Sequence, residues 1–141
     1  PAEFTDLKNL ASLYLHNNKL EYLPQGIGNM NLSEVYIYHN KLTSLPKSFS
    51  NLSNLVHIRF DNTYIADFPS QLLKLNKVES INFTDSDVSI LPEDILKLNS
   101  LELLSFRQAS IDMHHPLNKN YDEVVRKLYD RGVTLYLIDL E

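Results

Sequence analysis

Tyrosines and histidines recur in this sequence at intervals that would bring them side by side in a coiled chain. Tyr14 and Tyr36 are 22 residues apart, and so are His16 and Tyr38. One step of 23 residues beyond Glu34, Tyr36 and Tyr38 stand His57, Arg59 and Asp61. Two further steps of the same length lead from Asp61 to Arg107. His39 adjoins Tyr38. A tyrosine offers a broad apolar ring with a hydroxyl at its tip, the profile of an anchor in a protein interface. Neighbouring aromatics can also serve a sheet by stabilising it, but binding is the preferred expectation. The candidate ligand-binding residues are therefore Tyr14, His16, Glu34, Tyr36, Tyr38, His39, His57, Arg59, Asp61 and Arg107.

Other chemistries find less support in the residues. Zinc requires ligands converging to about 2 Å from the ion. His16, His39 and His57 fall at three different offsets of the interval, and there is no cysteine, so no metal site is expected. His114 and His115 are adjacent, and adjacent side chains on an extended chain point apart. With only three glycines there is no glycine-rich phosphate loop, and without cysteine there is no thiol nucleophile. Carboxylates are scattered over surface positions. The expectation is a protein that is not an enzyme, with no catalytic residues and no cofactor.

The spacing has a physical origin. Leu10 to Met30 reads LASLYLHNNKLEYLPQGIGNM. Leu13 and Leu15 alternate with polar or outward residues, as in a half-buried strand. Asn18 follows where the chain must turn, and its amide carries both a donor and an acceptor for backbone groups that a bend leaves unpaired. Leu20, Leu23 and Ile27 return apolar side chains inward, and Pro24 suits a return path outside the sheet. The same pattern starts again at Leu32, Leu55, Val78 and Leu101, after 22 residues once and 23 thereafter. One unit cannot cover its own apolar face, but stacked units can. Leu13, Val35, Ile58, Ile81 and Leu104 are expected to form one buried column. Phe60, Phe83 and Phe106 should stack as an internal aromatic ladder. The turn position runs Asn18, Asn40, Thr63, Ser86, Ala109, so later turns should be less regular, since Thr and Ser bond the backbone more weakly.

This L-x-x-L-x-L-x-x-N-x-L-x-x-L-P pattern resembles the leucine-rich-repeat family over nearly the whole chain, in its Leu-Pro form. Low Gly with high Asn and Lys resembles bacterial members. The resemblance implies an α/β fold: an open right-handed solenoid with a parallel concave sheet and short helical, 3-10 or extended segments outside. It places the candidate residues on the concave face, Tyr14 beside Tyr36 and His16 beside Tyr38. It implies a protein–protein interaction module whose ligand is a protein or peptide. The alternatives are a structural or adhesive repeat segment, or the substrate-recognition arm of a larger multidomain enzyme or effector.

Pro1, Phe4 and Leu7 match the offsets of Pro24, Ile27 and Met30, so residues 1–9 read as the end of a truncated repeat, followed by five repeats over 10–117, the last irregular. At the other end Asn120 and Glu123 have capping-box spacing, and Tyr121, Val124, Val125, Leu128 and Tyr129 follow at helical spacing. Gly132 suits the helix end, and Val133, Leu135 and Leu137 alternate as a strand. Residues 118–141 thus read as a C-terminal cap, while Ser12–His16 would be an edge strand inviting self-association at the N-terminal end. The net charge of −5 argues against nucleic acid, and no apolar run is long enough for membrane insertion. A soluble chain is expected, cytoplasmic or bacterial secreted or surface-bound; the disulfide-capped extracellular type is disfavoured. Asn31, Asn51 and Asn82 open glycosylation tripeptides, which are common by chance in an Asn-rich sequence.

Overall fold

The computed structural model describes residues 5–107 except 17 and 18, then 109, 111–112 and 114–137, with His16 by its backbone alone. Each repeat contributes one short strand: β1 (Ser12–His16), β2 (Glu34–Tyr38), β3 (His57–Arg59), β4 (Ser80–Asn82) and β5 (Leu103–Ser105). Among the described residues a sixth strand, β6 (Thr134–Tyr136), follows one α-helix, α1 (Tyr121–Asp130). The six strands form one parallel sheet in sequence order. Register follows the repeat: Leu13 pairs with Val35, Val35 with Ile58, Ile58 with Ile81 and Ile81 with Leu104. All five are buried, as the period requires.

The return path is a 3-10 turn in each of four coils, at Gln25–Asn29, Lys47–Asn51, Ser70–Lys74 and Glu93–Lys97. Pro24, Pro46, Pro69 and Pro92 precede these turns with φ between −65 and −69°. The pyrrolidine ring holds that value without strain and needs no donor there. Gly28 lies against the backbone carbonyl of Ser48 in the next turn, where a Cβ would collide. Inside, Phe60, Phe83 and Phe106 stack with centroids 5.7 and 5.8 Å apart. Phe49 and Phe68 extend this ladder from the return side, at 6.1 Å from Phe60 and 5.5 Å from Phe83.

The turn after the strand also has a physical account. Asn40 is buried, donates to Leu15 O and Tyr38 O, and accepts from the Leu20 N–H. Thr63 reaches only Phe60 O in its own turn, and Ser86 accepts only from the Val88 N–H at 3.4 Å. Strands shorten from five residues in β1 and β2 to three in β3 to β5 over the same interval. Immediately before these residues, His39, Asn62 and Asp85 take left-handed φ of 56, 54 and 58°, a region that Asn, Asp and His enter most readily among non-glycine residues. Asn18 lies outside the described residues.

The C-terminal end departs from expectation in two places. The Asn120–Glu123 capping box does not form: the Asn120 amide donates to Glu93 Oε2, and Glu123 pairs with Lys127 at 2.8 Å. Asn120 has ψ of 16°, outside the extended region from which a cap side chain folds back. Tyr129, expected on the apolar face, is 73% exposed, while Val124 and Leu128 are buried. The helix does end as expected. Gly132, at φ 84°, donates to Tyr129 O, and Val133 donates to Leu128 O, the paired bonds of a Schellman motif. Asn118 is buried, donates to Ser89 O and Asp112 O, and accepts from the Leu91 N–H. It repeats in the cap what Asn40 does in the second coil.

At the other end the first coil is less covered. Leu10, Leu15 and Leu20 are half-buried, whereas Leu32, Ile37 and Leu42, one repeat on, are fully buried. Leu7 is 55% exposed although its counterpart Met30 is buried. Phe4 lies outside the described residues.

Candidate functional site

Alternate residues of each strand leave the core and line the opposite face of the sheet in columns one repeat apart. The first column runs Ser12, Glu34, His57, Ser80, Leu103, Thr134. The second runs Tyr14, Tyr36, Arg59, Asn82, Ser105, Tyr136. His16 pairs with Tyr38 at the start of the third; the His16 side chain is outside the described residues.

The first three rows are held by contacts among themselves. Tyr14 and Tyr36 meet edge to face, centroids 4.8 Å apart at 70°. The Tyr14 hydroxyl donates to Glu34 Oε2 at 2.6 Å, and Ser12 Oγ donates to the same oxygen at 3.1 Å. The Tyr14 bond holds the Glu34 carboxyl below the usual carboxylate range, and it raises the Tyr14 phenol above its ordinary value. Tyr36 is raised as well, chiefly by burial. Arg59 pairs with Asp61, Nη2 to Oδ2 at 2.7 Å, which raises the guanidinium further. His57 Nδ1 lies 2.8 Å from Ser80 Oγ.

The remaining candidates sit elsewhere. His39 is in the left-handed turn beyond β2; its ring meets Tyr38 edge-on at 6.0 Å, and its Nδ1 accepts from Asn62 Nδ2 at 2.8 Å. Arg107 is exposed just beyond β5, two coils from Arg59, and is not brought into the group on the first three rows. Among the described residues, no three His, Asp or Glu side chains gather where they could hold a metal ion, and no helix is long and apolar enough to cross a membrane. His115 caps the Pro116–Asn118 turn by accepting the Leu117 N–H. Asn82 lies in β4 with its Oδ1 taken by the Thr84 N–H.

Two features of this face escaped the sequence reading. Thr134 and exposed Tyr136 form a sixth row; the alternation of Val133, Leu135 and Leu137 already implied that residues between them face outward. Ser105, although its register position is in an outward column, is buried and shares a hydrogen bond with Thr84 at 2.9 Å.

The Leucine Rich Repeat family profile matches residues 9–30 and 31–52, the first two coils, and the regular stack continues past them. Residues 9–52 are leucine-rich repeats. The open solenoid of the chain resembles solved leucine-rich-repeat structures. A leucine-rich-repeat protein of Leptospira interrogans superposes with a TM-score of 0.67 at 22% identity, over 99% of this chain and 39% of that one. Internalin C2 of Listeria monocytogenes gives 0.68 at 16% identity, over 99% of this chain and 55% of that one. A plant peptide hormone receptor, RGFR1, solved in complex with RGF2, gives 0.69 at 25% identity, over 79% of this chain and 19% of that one. The chain thus spans between a fifth and just over half the length of these structures. No curated protein matches the sequence. In this open solenoid Tyr14, Glu34 and Tyr36 lie on the face of the parallel sheet that looks away from the core.

Proposed function

We propose that this chain is an interaction module that binds a protein or peptide segment on its concave sheet, without catalysing a reaction. Tyr14, Glu34, Tyr36, Tyr38, His57, Arg59 and Asp61 form the centre of the surface, with His16, His39 and Arg107 at its borders. The observation that carries the proposal is the Tyr14–Tyr36 pair, 4.8 Å apart and braced by Glu34 on a solvent-facing sheet. Side chains already fixed by neighbours lose little freedom when a partner docks, which favours binding. Aromatic rings concentrate contact energy at interfaces. The peptide-bound state of the plant receptor is consistent with the same use of the fold.

A direct test is selection of peptides from a random displayed library on the full chain. Selected peptides should lose at least about tenfold in affinity for Tyr36→Ala or Tyr38→Ala, about 1.4 kcal/mol. They should keep full affinity for Lys74→Ala, on the return path. Peptides that bind the tyrosine variants as well as the native chain would refute the concave face as the site.

A second use of the surface is favoured by one observation at the sheet edge. Leu7 is 55% exposed beside half-buried Leu10, and β1 is bonded to another strand only on its β2 side among the described residues. We propose that a second copy of the chain can associate there.

A further inference from the structure

Resting on the concave-face function proposed above, we infer that the partner presents a basic side chain, Arg or Lys, to Glu34 beside the Tyr14–Tyr36 pair. Both hydrogen bonds to Glu34, from Tyr14 and Ser12, land on Oε2. Among the described residues the second carboxylate oxygen, Oε1, accepts no hydrogen bond and is left to accept from a ligand. Tyr14 is 52% exposed and Tyr36 partly so, so ring surface stands open next to that oxygen. A guanidinium or ammonium is drawn both to a carboxylate and to the negative face of a tyrosine.

Charge on the surrounding rows points the same way. Arg59 is the only full cation among the candidate residues of the first three rows, and it is neutralised by Asp61 through two contacts, at 2.7 and 3.4 Å. His57, paired with Glu34 across β2 and β3, has its Nδ1 engaged by Ser80. Among the described residues Glu34 makes no ion pair with Arg or Lys; only His57, its register neighbour, acts on it as a positive charge, and more weakly than the hydrogen bonds from Tyr14 and Ser12. The hydrogen bond from Tyr14 favours the ionised carboxylate. The chain as a whole carries −5, which raises the local concentration of a basic segment before contact. An acidic segment would meet repulsion from both the site and the whole molecule.

The same library selection, read for sequence, tests this without confusing it with failure of the concave face. Selected peptides should share an Arg or Lys at one position. Their affinity should fall about tenfold on Glu34→Gln, the scale of losing one charge-assisted hydrogen bond. Replacing that basic residue by norleucine should cost the same, and the two changes together little more, as a coupled pair requires. Glu34→Lys should abolish binding of the same peptides. Peptides that lack a shared basic residue, or that bind Glu34→Gln unchanged, while still weakened by Tyr36→Ala, would overturn the basic-residue inference and leave the concave face standing. Peptides indifferent to Tyr36→Ala and Tyr38→Ala would overturn both. If Glu34→Gln melts early, the native chain decides: affinity must weaken with added salt, and salt-independent binding overturns the inference.

Discussion

The side-chain amide of Asn40 donates to the carbonyl of Leu15 at 2.9 Å, tying the second coil to the first. The same side chain serves Tyr38 O and the Leu20 N–H, and it is only 4% exposed. Asn40→Ala removes a partner from three backbone groups, and each stranded group costs about 1–3 kcal/mol when water cannot reach it. We expect a total loss of at least about 2 kcal/mol in chemical denaturation. Thr63→Val should cost less, because Thr63 makes a single bond within its own turn. Equal midpoints for Asn40→Ala and the native chain would mean that these groups are met by water.

A matched pair of core positions measures how much each coil depends on its neighbours. Leu15 and Ile37 are register partners in β1 and β2. Ile37 has no exposed surface, whereas Leu15 is half-buried. Ile37→Ala should cost about 2–5 kcal/mol. Leu15→Ala should cost less than half as much, since apolar area already in water contributes nothing to burial. Ile58→Ala should resemble Ile37→Ala. The three denaturation curves decide this, and a loss at Leu15 equal to that at Ile37 would place an additional covering over the first coil.

The Tyr14–Glu34 bond makes a prediction about titration. Glu34 has its folded value lowered, so its contribution is present above the unfolded carboxyl value and is lost as pH falls through the lower folded value. Tyr14 and Tyr36 have theirs raised, so their contribution is present below the ordinary phenol value and is lost as pH rises through the higher folded value. Tyr121 is raised as well, by its burial, so ultraviolet titration should find Tyr14, Tyr36 and Tyr121 ionising above the ordinary phenol value. In Glu34→Gln, Tyr14 should return towards ordinary behaviour, because its largest perturbing partner is gone, while Tyr36, raised mainly by burial, should change less. A Tyr14 titration unaffected by Glu34→Gln would show that the hydroxyl bonds elsewhere in solution.

Much of this molecule was legible in the residues because a repeat converts sequence offset into spatial neighbourhood. The pairing of Tyr14 with Tyr36 and the buried column through Ile58 follow from the period alone. So does the phenylalanine stack, while the Gly132 helix end follows from the preference of glycine for the left-handed position after a helix. What was not legible depends on rotamers and on coil-specific packing. That Tyr14 reaches diagonally to Glu34 requires knowing how two side chains lean on the sheet. That Ser105 is buried depends on its neighbours on adjacent strands. Asn120 has the right spacing for a capping box, but a backbone ψ of 16° and the nearby Glu93 carboxylate draw its amide away. Asn118, in contrast, shares no repeat offset with Asn40 and yet performs the same task, because the cap bends another turn over the fourth coil.

The last prediction concerns the two ends of the stack. In α1 the amides of Val124 to Leu128 bond within the helix, whose buried Val124 and Leu128 pack on the core. In β1, backbone groups on the side away from β2 have no strand beside them among the described residues, and of the side chains below them Leu13 is buried but Leu15 only half-buried. Local opening costs least where apolar contacts are fewest. Amide hydrogen exchange should therefore be faster at Leu13–Leu15 than at Val124–Leu128 in dilute solution. An open strand edge with exposed leucine beside it also invites pairing with another chain. If a second copy docks there, protection at Leu13–Leu15 should grow with protein concentration while α1 is unchanged, and Leu7→Lys should abolish the growth. Slow exchange at both ends, the same at every concentration, would show that the first coil is stable on its own and would remove the basis for self-association at β1.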